Sequence, residues 1–292
     1  MIEHTRTLFK TVAAGVLLAT ATGALASGAL ASGATPSGHV GTTYVRTPSD
    51  RTEPGDARSD RDHGNRPRRC RNQSLPQGSE PVELRPADFT TEIDNPYWPM
   101  TPGSRWVYAS DDVEGTHEDV VIEVTDQIKT IANGIEARVI IDTVKLDGEI
   151  REQTQDWYAQ DRCGNIWYLG EHVDNYENGV IVNNDGSFEA GVDGAQPGIA
   201  MPARPRSGLS YRQEYYAGVA EDEGAVITVG EEQVEVPFGF FDDDVLMTRD
   251  LVPLEPMVQE LKFYGLGVGP LLSVHTDGTG GRSALVSFTP GA

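Results

Sequence analysis

Lysine and arginine are scarce over most of this chain. Residues 73–292 carry 13 of them against 39 Asp and Glu, a formal charge of −26. Nucleic acids and anionic bilayers are bound by basic side chains that displace counterions, so this balance argues against nucleic acid as a partner. Long apolar runs are missing too. The longest near the N-terminus, Val12 to Ala21, is mostly Ala, Gly and Thr, whereas a spanning helix needs about 20 strongly apolar residues. No stable membrane anchor is expected. No cysteine follows that run to take a lipid, and no twin-Arg pair precedes it. What remains is a positive start (Arg6, Lys10), the short run, and small-x-small sites at Ala24-Leu25-Ala26 and Ala29-Leu30-Ala31. These are the parts of a secretory signal peptide over residues 1–31, and they imply a secreted, extracellular protein.

Catalytic signatures are equally sparse. There is no G-x-S-x-G elbow and no H-E-x-x-H, the patterns that would announce a serine hydrolase or a zinc hydrolase. Beyond residue 72 the only histidines are His117, His172 and His275, and two cysteines cannot build a four-thiolate zinc site. No cofactor and no metal ligand set is expected. Calcium is the one ion with some oxygen-rich stretches to meet it, NNDG at 183–186 and DDD at 242–244, and neither follows the twelve-residue calcium loop. In an exported chain, Cys70 and Cys163 are expected to form a disulfide closing about ninety residues.

Large apolar side chains are nearly absent from residues 32–79, which are rich in Ser, Thr, Gly, Pro, Asp and Arg. Such a segment cannot bury enough surface to offset its ordering entropy, so a disordered tether is expected. It is basic: residues 32–72 hold eight Arg against five acids. The rest, 80–292, has the size of a single β domain.

Helical periodicity is the last absence. From Pro81 onward, alternating and β-branched stretches follow one another: VVIEVTD, EARVIIDTVKLDG, EIREQTQDWYAQ, NIWYLG, SYRQEYYAG, AVITVG, VQELKFYG, PLLSVHTD and ALVSFT. Asn133-Gly134, Asp147-Gly148, Asn178-Gly179 and Asp185-Gly186 separate them, supplying the positive φ that tight hairpins require. The pattern predicts an all-β fold, an antiparallel meander curled into a half-barrel or up-and-down barrel, with a β-sandwich as the alternative. Residues 187–210, rich in Gly, Pro and Ala, break the rhythm and are expected to be a long loop or lid.

The stretch DWYAQDRCGNIWYLGE, residues 156–171, holds most of the candidate chemistry. A two-residue turn at Cys163-Gly164 would set Asp156 opposite Glu171, and like charges facing across a ladder are destabilising. A three- or five-residue turn would instead pair Tyr158 with Tyr168. It would place Trp157, Ala159, Trp167 and Leu169 on one face and Tyr158, Gln160, Ile166 and Tyr168 on the other. Asp156, Glu171, Glu214, Glu221 and Asp222 are the candidate catalytic acids, because paired carboxylates perform glycoside-type acid/base work. Trp157, Tyr158, Trp167, Tyr168 and Tyr215 are the candidate ligand-binding residues, because aromatic rings stack on sugars or line apolar cavities.

Several stretches taken together, DNPYWP (94–99), DWYAQD with GN-WY-GE (156–171), EAGVDGAQPGIAMPA (189–203), YRQEYYAGVAED (211–222), PLEP (253–256) and GLGVG (265–269), resemble a family of uncharacterised exported actinobacterial proteins. The resemblance covers most of residues 85–289. It implies one exported domain and transfers no activity and no residue role. From the residues themselves, the preferred reading is non-catalytic binding of a small molecule, a lipid or a glycan at an aromatic-lined concave face. A carboxylate-dependent hydrolase or lyase, and a structural envelope or interaction module, are the alternatives.

Overall fold

A computed structural model describes Cys70 and residues 74–111, 116–276 and 281–292. The expected signal peptide and the expected tether as far as residue 69 lie outside the described residues. The chain forms strands β1 (Phe89–Thr90), β2 (Arg105–Asp111), β3 (His117–Thr130), β4 (Glu136–Leu146), β5 (Glu149–Asp161), β6 (Ile166–Glu177), β7 (Val180–Asn183), β8 (Phe188–Glu189) and β9 (Gln196–Met201). It continues with β10 (Ser210–Tyr216), β11 (Ala220–Val229), β12 (Val234–Val236), β13 (Gly239–Phe241), β14 (Leu246–Leu251), β15 (Gln259–Gly265), β16 (Gly269–His275) and β17 (Arg282–Thr289).

Twelve of these close into an antiparallel up-and-down barrel. Consecutive staves β2-β3-β4-β5-β6-β9-β10-β11-β14-β15-β16-β17 pair in chain order, and β17 returns to β2. The predicted meander is therefore correct in its closed form. Sequence alternation builds the wall: in β3, Glu118, Val120, Ile122 and Val124 are buried while the residues between them face outward, partly or wholly exposed. Asp147-Gly148 and Asn178-Gly179 have positive φ at both central positions, the geometry of the tight hairpins expected there.

Two excursions leave the barrel. The first, after β6, carries β7 and β8. It is here that the expected long loop at 187–210 is corrected: Gln196–Met201 is a full stave, paired with β6 and β10. Its Gly-Pro-Ala composition hid it, because Pro197 and Gly198 sit where backbone must approach closely; a Cβ on Gly198 would lie 2.1 Å from the Gln213 carbonyl oxygen. The second excursion, the β12–β13 hairpin, lies outside the barrel, with Phe238 N–H donating to Leu285 O and Arg282 to Glu235 O.

One end is plugged by the segment before β2. Trp98 and Met100 are buried, and Trp98 packs against Tyr158 (5.6 Å) and Tyr264 (6.3 Å). Asn95 Nδ2 donates to Gly164 O (2.9 Å) and Pro202 O (3.3 Å), while Gly267 N–H donates to Pro96 O, so the plug ties three loops of that end together. The Cys70–Cys163 disulfide forms there too, with Cα atoms 5.3 Å apart. Residues 74–79, grouped with the tether by composition, run along β10: Arg212 donates to Gly78 O and Glu80 O, and its own N–H to Pro76 O.

The outer wall carries charge, as in the Arg105–Glu123 and Glu149–Arg151 pairs. Arginine on a lipid-facing band costs about 2–4 kcal/mol at mid-bilayer, so this wall suits water. No helix among the described residues is long and apolar enough to cross a membrane.

Candidate functional site

The register of β5 against β6 decides what faces the lumen. Close to the turn, Tyr158 opposes Tyr168 and Gln160 opposes Ile166; farther along, Asp156 opposes Glu171. Both registers foreseen for this hairpin are present, joined by a bulge in which Leu169 and Gly170 stand opposite Trp157. Gly170 takes φ +132, and a Cβ there would lie 2.4 Å from Phe188 O, so the close crossing of β8 requires glycine at this position. The bulge turns Glu171 back to the inner face, beside Asp156.

The candidate residues divide accordingly. Asp156, Glu171, Glu214, Asp222, Tyr158 and Tyr168 meet inside the barrel, all at most 4% exposed, with the Tyr rings stacked at 4.9 Å and Glu214 directly opposite Asp222. Glu221 lies on the outer face, where it accepts from Gly218 N–H. Tyr215, opposite Glu221, is outside as well. Trp157 and Trp167 belong to the outer side of the hairpin. Trp157 lies under Lys129 Nζ (4.2 Å to the ring). Trp167 donates to Asp161 Oδ2 and packs against Phe89.

Sequence reasoning missed the rest of the inner face. Asp142, Glu152, Asp250, Glu260 and Lys262 extend the acids into a belt running over β4, β5, β6, β10, β11, β14 and β15. The signal was inverted amphipathicity. In QELKFYG, the polar set Glu260, Lys262 and Tyr264 is buried while Leu261 and Phe263 face outward, partly covered. Lys262 Nζ pairs with Asp250 (2.6 Å) and Glu260 (3.3 Å), and Ser273 donates to Glu260.

Electrostatics follow from burial. Asp156 is raised to about 7, first by desolvation; the Tyr168 hydroxyl, donating at 2.7 Å, pulls the other way, and the Glu152 charge raises it further. Asp222 and Glu260 are pushed up to about 8, again chiefly by desolvation, with Asp250 raising both and Lys262 lowering both. Glu171 and Glu214 stand well above the usual carboxylate range, by burial and then by the Glu214 and Asp222 charges respectively. Burial alone would lower Lys262, but Asp250 and Glu260 hold it well above its ordinary value.

The belt is only half satisfied. Both oxygens of Glu171, of Glu214 and of Asp222, and the hydroxyl of Tyr158, are buried without a hydrogen-bond partner. Tyr168 is near Glu171 as well, but its one proton goes to Asp156. A buried polar group left in this state costs about 1–3 kcal/mol, more if charged. No three Asp, Glu, His or Cys among the described residues are placed to hold a metal ion.

No family model matches the chain, and no curated protein matches it. Among solved structures it is similar to a chain from Parabacteroides distasonis ATCC 8503 described as "a putative lipoprotein", at 15% identity over 66% of this chain and 98% of that one, with a TM-score of 0.35. A likeness this slight bears on neither fold nor role.

Proposed function

We propose that this is an exported, non-catalytic binding barrel that takes a small hydrophilic molecule into its lumen. The observation that carries the reading is the set of unpartnered acceptors and the Tyr158 hydroxyl gathered on one inner arc. Buried polar groups in folded proteins are paired with protein or ordered water, and on this reading a hydrophilic ligand takes that place. The signal-like first 31 residues and the disulfide support export. The lumen narrows the ligand classes expected from the sequence: an aliphatic lipid tail would leave the carboxyl groups desolvated and unsatisfied, so a hydrophilic molecule is favoured over a lipid. The hydrolase alternative is less well supported. Acid/base catalysis needs two carboxyls whose environments push their pKa values apart, whereas desolvation raises Asp156 and Glu171 together.

Native mass spectrometry of the protein purified from its own secretion medium tests this. A small molecule of defined mass is expected on the wild type and lost from the Glu171→Gln/Glu214→Gln variant. Bare mass in the wild type, with a lumen that takes up no small polar solute, would end the reading.

A further inference from the structure

On the reading that the lumen binds a small hydrophilic molecule, we propose that the molecule is an organic amine cation, its ammonium held by Asp156, Glu171 and Glu214 with the Tyr158 hydroxyl. The barrel already shows what an ammonium does in this surrounding. On the arc formed by β14 and β15, Lys262 Nζ lies between Asp250 (2.6 Å) and Glu260 (3.3 Å) and is 3% exposed. Among the described residues on the adjoining arc formed by β5, β6 and β10, Glu171 and Glu214 have no ion pair like it: Lys262 acts on Glu214 only through its field, and the Tyr168 hydroxyl beside Glu171 donates to Asp156.

The unpartnered groups select the ligand chemistry. Once ionised, Glu171 and Glu214 offer four accepting oxygens, and the Tyr158 hydroxyl, 1% exposed, faces the same acids without a partner. An ammonium presents three donors and no acceptor, which matches an acceptor-rich arc. In its ionised form it repels anions. The stacked Tyr158–Tyr168 rings offer an apolar floor for the methylenes of an alkylamine, and aromatic faces attract cations.

A cation also changes the protonation of the arc. The groups facing it are Glu152, Asp156 and Tyr158 from β5, Asp142 from β4, Tyr168 and Glu171 from β6, Glu214 from β10, Asp222 from β11, and Lys262 from β15. Desolvation raises these carboxyls, Asp156 to about 7 and Asp222 to about 8, so a bound ammonium that ionises one of them displaces a proton, whereas a neutral sugar need not. Below about pH 7, requiring one carboxyl to ionise weakens binding by about tenfold per pH unit.

The experiment is titration calorimetry on the mature secreted protein, stripped by dialysis at pH 5, with methylammonium, 1,5-diaminopentane, spermidine, glucose and calcium chloride as probes. Each is measured at pH 6 and pH 8, in two buffers of different ionisation enthalpy. At least one amine is expected to bind about tenfold or more tighter at pH 8 than at pH 6, with proton release. Glu171→Gln/Glu214→Gln should weaken it at least tenfold, and Tyr158→Phe, which keeps the ring, several-fold; the melting curves of both variants report that they are folded. Glucose binding without proton release, or calcium binding without amine binding, would overturn the amine assignment and leave lumen binding standing. If no amine binds at millimolar concentration, the assignment fails; together with bare mass for the secreted protein, that result ends both readings.

Discussion

Replacing Asp156 by Asn separates the cost of the buried charge from the geometry that holds it. Asn is nearly isosteric with protonated Asp and can still accept from the Tyr168 hydroxyl, which now reaches Asp156 Oδ1 at 2.7 Å. The folded-state pKa of Asp156 is raised from 3.8 to about 7. A raised carboxyl binds its proton more tightly when folded, so the folded protein is favoured at low pH and loses stability as pH rises from about 4 to about 7. Three units at about 1.4 kcal/mol each amount to about 4 kcal/mol, an upper figure because Glu171 and Glu214 share the charge. Wild type and Asp156→Asn are therefore expected to be equally stable near pH 4. The variant should gain steadily above that and exceed wild type by about 2–4 kcal/mol at pH 8. Urea unfolding of stripped protein, followed by near-UV circular dichroism from pH 4 to pH 9, measures this. A wild-type midpoint that is flat or rises with pH, or a variant less stable than wild type at pH 8, would refute the reasoning.

Three further outcomes are expected. Lys262→Met leaves Asp250 and Glu260 facing each other without a cation, and should cost about 3–5 kcal/mol at pH 8. The loss should shrink toward pH 5, as Glu260, raised to about 8, takes up its proton; equal losses at both pH values in the urea midpoints would contradict the pairing. Gly170→Ala puts a Cβ 2.4 Å from Phe188 O at φ +132 and should destabilise by about 2 kcal/mol or more, so an unchanged melting temperature would mean that the bulge relaxes freely. Removing the disulfide with Cys70→Ser and Cys163→Ser opens a loop of sequence separation 93. It should cost up to about 4 kcal/mol and raise proteolysis near residue 70, while cleavage and stability matching the wild type would show that the hydrogen bonds of Arg212 and Gln77 to this segment suffice to hold it.

Strand identity was legible wherever alternation and turn residues agreed, as in β3 and at Asp147-Gly148. It was lost in β9, where Pro197 and Gly198 serve a close backbone approach rather than a local preference. For the site, Asp156, Glu171, Glu214 and Asp222 were within reach because they lie on recognised strands, as were Tyr158 and Tyr168. Glu221, Tyr215, Trp157 and Trp167 sit on the same strands, and only the face each one takes sends them outside. Asp250, Glu260 and Lys262 escaped notice because a strand with alternating polar and apolar residues is ordinarily read with its apolar side inward.

The sequence by itself determined the antiparallel meander, the acidity of the domain and the two cysteines able to join, because period-2 patterning, turn chemistry and charge are local or additive properties. Only the tertiary structure decided that the sheet closes and that the acids line its inside. Which side of a strand is inner depends on closure of β17 onto β2 and on a one-residue bulge at Gly170 that reverses every side chain beyond it. No window of sequence shorter than the barrel contains that information.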